Sequence, residues 1–206
     1  MPRGQRGFRH LCLVSIPANT IQCQKLLRIK LIIGSHSRLA RYISEAETSC
    51  NRYCDILPYS RTRVLLDTAV YVNASVVQEP SLGLNIPRLT WIASQAPTEE
   101  TIPHFLQILL QPVSSPAHPD PLPLVNTIVQ LTPLTERGRS KCSPYFPKAV
   151  GDTITFGDVS VELLQKDESH DRRTCQLAVS HDKVKRTVRH IEFLGWRDHG
   201  VSFLKD

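Results

Sequence analysis

A single helical stripe set among strand-like stretches is what most limits the folds open to this chain. Ile102, Phe105, Leu106, Leu109 and Leu110 recur three and four apart, as one apolar face of a helix requires. Pro103 fits only in the first turn, where its missing N–H costs little, and Pro112 ends the run. Thr98 is the expected N-cap, with Glu99 and Glu100 placed against the positive end of the helix dipole. Strand character surrounds this helix: residues 63–66, 69–77 and 90–95 before it, and 126–132, 174–180 and 184–193 after it. Residues 152–155 and 159–164 read as a hairpin around Phe156-Gly157-Asp158. One further helix is expected over 35–48, from Leu39, Ile43 and Ala46, with Arg41 and Glu45 four apart. This pattern predicts an α+β domain with a mixed, mostly antiparallel central sheet flanked by helices.

Between these elements, residues 51–59 carry turn residues and a proline, residues 78–88 form a surface connection, and residues 112–123 hold five prolines. The stretch Arg189–Ser202 runs from strand character into a short polar loop. Its one carboxylate at the tip, Asp198, lies between Trp196 and Gly200; the aromatic can anchor one end of a moving loop and the glycine frees its backbone. Such a carboxylate suits a general acid that closes over a substrate. The plainer alternative is a surface turn with a capping aspartate.

At 206 residues the chain is long enough for one sizeable core. Its net charge of +6 is lopsided: eight Lys and Arg and no acid precede Glu45, which leaves −2 on the remaining residues. That balance argues against a nucleic-acid-binding globular part. Residues 1–34 are expected to be a basic, disordered leader, and residues 35–206 the domain. The Arg-rich, acid-free start also resembles a mitochondrial transit peptide in composition. No apolar run is long enough to span a bilayer. The six cysteines form no CxxC pair and no regular spacing with His, which implies neither a metal site nor a disulfide framework and favours a cytoplasmic setting.

In order along the chain, the segments from about 49 to 202 resemble the classical protein tyrosine phosphatase domain. The motifs that carry the resemblance are Asn51-Arg52-Tyr53-x-Asp55-Ile56-Leu57-Pro58-Tyr59 with Arg63-Val64-x-Leu66, Tyr71-Val72-Asn73-Ala74-Ser75, and Ile92-Ala93-Ser94-Gln95-Ala96-Pro97. They continue through Ile128-Val129-x-Leu131-Thr132, Glu136-x-Gly138-Arg139-x-Lys141-Cys142-x-x-Tyr145-Phe146-Pro147, and Val188-x-His190 to Trp196-x-Asp198-His199-Gly200-Val201. The resemblance implies a tyrosine-phosphorylated protein or peptide as partner, and no cofactor. It makes Tyr53 the aromatic wall of a deep slot that takes a phosphotyrosine ring. Asp55 accepts hydrogen bonds from the substrate backbone, and Asp198 protonates the tyrosyl leaving oxygen. Glu136 and Lys141 flank the site, Lys141 either steering the phosphate or pairing with the acid. Trp196 and Gly200 support the closing loop, while Asn73 and Arg63 hold backbone together. The plainer readings are a packed aromatic, a turn carboxylate and solvated surface charges.

The family's chemistry needs a thiolate in a Cys-x5-Arg loop, whose backbone N–H groups cradle the phosphate. Six positions after Cys12, Cys23, Cys50, Cys54, Cys142 and Cys175 stand Ala18, Ile29, Ile56, Ser60, Lys148 and His181. None is an arginine, so the expectation is a domain incomplete on its C-terminal side and inactive by itself, with a non-catalytic phosphotyrosine-peptide or partner-binding module as the alternative. In the family that loop grows from a central strand, so unpaired strand edges and uncovered apolar surface are expected here. Two departures from the pattern bear on loop geometry. Arg197 stands where the family usually has proline. Ala96 replaces a usual glycine, so a positive backbone angle there would be strained.

Overall fold

The computed structural model describes residues 11–15, 45–53, 56–78, 90–136 and 138–194. Among them are ten strands: β1 (Leu11–Ser15), β2 (Ala74–Gln78), β3 (Thr90–Gln95), β4 (Thr127–Gln130), β5 (Thr135–Glu136), β6 (Arg139–Ser140), β7 (Thr153–Phe156), β8 (Val159–Glu168), β9 (Arg172–His181) and β10 (Val184–Phe193). A 3-10 helix, Glu45–Cys50, precedes β2, and one α-helix, α1 (Ile102–Leu110), links β3 to β4. Eight strands form one sheet in the order β2-β3-β1-β4-β10-β9-β8-β7, while β5 and β6 pair separately. Every neighbour in the large sheet is antiparallel except β4 and β10, so the architecture is the expected mixed α+β sheet.

The helix turns its stripe to the core: Ile102, Phe105, Leu106, Ile108 and Leu109 are buried, and Leu110 is partly buried against the same core. It packs against β9 and β10. The expected cap at Thr98 is not the one that forms. A turn over 98–101 comes first, and Thr101 occupies the N-cap position without a side-chain cap bond. Thr98 spends its hydroxyl on that of Thr101 at 3.0 Å, which holds the turn rather than the helix end. At the other end Arg186 of β10 donates to the carbonyls of Leu109 and Val125, satisfying one of the terminal oxygens the helix leaves unpaired. Burial pulls this guanidinium below its usual basicity.

Of the helix expected over 35–48, residues 45–48 belong to the 3-10 helix and the rest lie outside the described residues. Five residues inside the expected leader, Leu11–Ser15, form β1, paired with β3 on one side and β4 on the other; the rest of 1–34 lies outside the described residues. The run Leu11-Cys12-Leu13-Val14 carries no charge, as a strand in mid-sheet needs, but the arginines around it masked that signal. β1 thus fills the centre of the sheet, while the outer strands β2 and β7 each have one partner. Ala96 is not strained: the positive-φ residues other than glycine are Ala69 and Asp182 among those described, and Ala96 is fully buried.

Candidate functional site

β1 runs antiparallel to both β3 and β4, so these two point the same way, and β10 runs parallel to β4. The carboxyl ends of β3, β4 and β10 therefore open onto one edge of the sheet. Three stretches leave from that edge: 96–98 after β3, 131–142 after β4, and Leu194 after β10.

The loop bearing Tyr53 is fastened to this edge by its neighbours. Gln95, the last residue of β3, accepts from the Arg52 backbone N–H at 3.0 Å and donates to the Cys50 carbonyl at 2.8 Å. The Arg52 guanidinium donates to the carbonyls of Ala96 and Pro97 and reaches Ser143 Oγ at 3.4 Å. On the other side, Asn51 Oδ1 accepts from Tyr71 Oη at 2.8 Å and from Asn73 Nδ2 at 2.7 Å, and Asn73 also donates to the Ile56 carbonyl. Asn73 thus holds backbone together, as expected. Tyr53, half-buried, sits between these fixed points.

The segment that carries Lys141 is tied to the same place. β5 and β6 form a tight hairpin around Gly138, whose φ of 74° suits glycine. Lys141 follows β6, its backbone N–H bonded to the Leu134 carbonyl at 2.8 Å, and two residues on the Ser143 N–H donates to the Pro97 carbonyl at 3.2 Å. One carbonyl, that of Pro97, therefore receives both Arg52 and Ser143. Tyr53 and Lys141 lie one and two residues from those donors, so the two loops flank a common edge.

Beneath the edge lies a buried polar cluster. Tyr145 Oη donates to Gln130 Oε1 at 2.7 Å and lies 2.8 Å from His190 Nε2, which is 3.1 Å from Gln130 Oε1. Gln130 Nε2 donates to the Thr132 carbonyl, which orients the amide so that its oxygen faces the other two. Among the described residues His190 Nδ1 has no hydrogen-bond partner. Complete burial, and secondarily the charge of Arg173, hold His190 near a pKa of about 3, so it is neutral. Phe146 stacks obliquely on it, ring centroids 4.4 Å apart.

The model of the protein-tyrosine phosphatase family matches residues 47–205. The chain belongs to that family. Tyrosine-protein phosphatase 3 of Schizosaccharomyces pombe is 34% identical over 167 residues, a match that covers 77% of this chain and 50% of the yeast protein. Receptor-type tyrosine-protein phosphatase C of Homo sapiens is also 34% identical, over 160 residues, and 11% of its length is matched. The catalytic domain of human protein tyrosine phosphatase non-receptor type 18 superposes with a TM-score of 0.60 at 21% identity, covering 77% of this chain and 53% of that one. At that identity the superposition shows the phosphatase fold alone. The chain spans about half the length of the yeast phosphatase and of the solved catalytic domain.

Of the residues singled out from this phosphatase sequence, Tyr53 and Lys141 are placed on the shared edge, and Glu136 contributes its backbone to the β5–β6 hairpin. Asp55, Trp196, Asp198 and Gly200 lie outside the described residues, as does Arg197. Sequence reasoning assigned no role to Arg52, Gln95 or the Tyr145–His190–Gln130 cluster. Their partners lie 15 to 60 residues away, so no local pattern announces them. Of the described thiols, Cys50, Cys142 and Cys175 are free, and burial pushes Cys175 above its usual range. Among the described residues no three His, Cys, Asp or Glu converge on a metal site, and no helix is long and apolar enough to cross a membrane.

Proposed function

We propose that this chain carries the phosphotyrosine-recognition and acid-delivering loops of its family without a nucleophile, so that by itself it grips a tyrosine-phosphorylated peptide and does not hydrolyse it. Tyr53 forms the aromatic wall and Asp55 takes the peptide backbone. Asp198, on the loop that Trp196 anchors and Gly200 frees, is the acid. Glu136 and Lys141 flank the phosphate. The observation that supports this reading is the Pro97 carbonyl, which ties the Tyr53 and Lys141 loops to the edge onto which β10 also leads. The absence of arginine six positions after any of the six cysteines supports the lack of turnover. Without the cradle of backbone N–H groups the phosphate meets few donors, so binding is weak. A cytoplasmic location belongs to the same proposal. It draws support from the free thiols Cys50, Cys142 and Cys175, with the transit-like composition of the first residues as the mitochondrial alternative.

Titration of the 206-residue chain with a phosphotyrosine peptide and its unphosphorylated twin tests the binding half. The phosphorylated peptide binds more tightly, and Tyr53→Ala weakens it about tenfold, the loss of one aromatic stacking contact. Equal affinity for the two peptides overturns it. A phosphate-release assay tests the other half: release above background, abolished by replacing one of the chain's own cysteines, would show that a nucleophile is present after all.

A further inference from the structure

Residues 112–123 hold five prolines, and neither the sheet nor the candidate site uses them. The stretch leaves the end of α1 and delivers the chain to the amino end of β4. Its first half is a compact turn bound to the fold. Ser114 exchanges both backbone bonds with Leu65, Ser115 exchanges both with His118, and the Ala117 N–H donates to the Arg61 carbonyl at 2.8 Å. The chain then bends at Asp120 and runs from 121 to 126 without a regular element.

The prolines set the shape of that run. Pro121 and Pro123 hold their own φ near −65°, and each bars the residue before it from helical angles. Polyproline II meets both conditions, and its period is three residues. Burial keeps that period. Leu122 packs on the core and Val125 is buried, whereas Pro121 and Leu124 on a second side, and Pro123 and Asn126 on the third, are exposed. The run is also pinned to the fold. The Leu122 N–H donates to the Val113 carbonyl at 2.8 Å, the Val125 carbonyl accepts from Arg186, and the Asn126 carbonyl accepts from the Arg189 N–H at 2.8 Å. The carbonyls of Pro121, Pro123 and Leu124 accept no backbone bond from the described residues. The ordering cost of an extended segment is thus met by folding, and two sides with three free acceptors face outward.

We propose that residues 120–126 are a docking ridge for a second protein domain, one whose groove is lined with aromatic rings and rimmed by a Lys or Arg. The groove follows from the ridge. Proline rings stack on aromatic faces, and unspent carbonyls accept from the N–H of Trp or the hydroxyl of Tyr in such a groove. The cation follows from Asp120, which is exposed and stands alone: no other Lys, Arg, Asp or Glu lies between Glu100 and Glu136. A preformed polyproline II segment loses little freedom on binding, so a short ridge suffices. The ridge meets the amino end of β4, whereas the Tyr53 and Lys141 loops flank the edge at its carboxyl end. A domain docked here leaves that edge open, and the inference does not depend on phosphotyrosine binding.

The probes are purified WW, SH3 and EVH1 domains with an Arg or Lys at the rim of the groove, titrated onto the full 206-residue chain. At least one should bind, with a Kd of about 10–100 μM. Replacing both Pro121→Ala and Pro123→Ala should weaken that binding about tenfold. Asp120→Lys should weaken it about fivefold, the loss of one rim ion pair and its reversal to repulsion. A synthetic peptide of residues 119–126 should displace the domain from the unaltered chain, a readout that no folding defect in a variant can mimic. No binding by any of these domains at up to about 1 mM overturns the proposal. So does binding that ignores the double proline variant or Asp120→Lys, or that saturating peptide leaves intact.

Discussion

His190 is buried and neutral, held by Tyr145 and Gln130 on one ring nitrogen and by none of the described residues on the other. Its pKa, about 3, lies below the ordinary histidine value of 6.5, so between those limits the unfolded chain binds the extra proton and the folded chain does not. Stability contributed here is complete above about pH 6.5 and declines as pH falls through that window, by up to about 1.4 kcal/mol per pH unit. Denaturant titrations from pH 7 to 4 should show this slope, and His190→Gln should flatten it while lowering stability at pH 7. An unchanged slope in that variant would assign the acid sensitivity to other groups. Arg52 is the second decisive residue. Arg52→Ala leaves two carbonyls without their charged donor and should cost about 1–3 kcal/mol in thermal or urea unfolding. It should also weaken phosphotyrosine-peptide binding although Arg52 itself need not touch the peptide; unchanged affinity would show that Tyr53 is positioned without it.

The hairpin of β7 and β8 shows what an element's sequence reveals. Gly157 has a φ of 58° with no atom within 4 Å of where a Cβ would stand, so Gly157→Ala isolates backbone strain and should cost about 1 kcal/mol in equilibrium unfolding. That turn, the strands at Thr90–Gln95 and Val184–Phe193, and the stripe of α1 were legible because each depends on spacing and turn chemistry within a few residues. Residues 69–73, expected as strand, are not: Ala69 takes a φ of 54° and the ladder begins only at Ala74. The true cap of α1 was hidden because Thr98 and Thr101 both offer a hydroxyl, and tertiary position chose between them. β8 runs on to Glu168 past a bulge at Leu164, and since residues 164–168 are all exposed no alternation marks them in the sequence. Of the candidate site, the loops that carry Tyr53 and Lys141 were named from motif. The arginine and glutamine that fasten them were not, since both act through backbone groups more than 40 residues away.

Across the whole molecule, the sheet grades from a centre buried on both faces to an outer strand with one partner. β4 presents Ile128, Val129 and Gln130 without exposure to speak of, whereas Thr153, Ile154 and Thr155 of β7 are exposed. Native hydrogen exchange should accordingly find the slowest amides in β9 and β10 and early exchange in β7; uniformly fast exchange over 127–193 would mean that the sheet does not hold as a unit. The meeting of Arg52 and Ser143 on the oxygen of Pro97 has a mechanical corollary at this scale. Because a main-chain oxygen serves as the shared hitching post, no side-chain replacement deletes it, and Arg52→Ala unties only the Tyr53 loop while the Ser143 N–H stays bonded. A tilt of that single peptide plane moves the wall and the flank of the crevice in concert, and fluorine labels at positions 53 and 141 would drift together on a Pro97→Gly background.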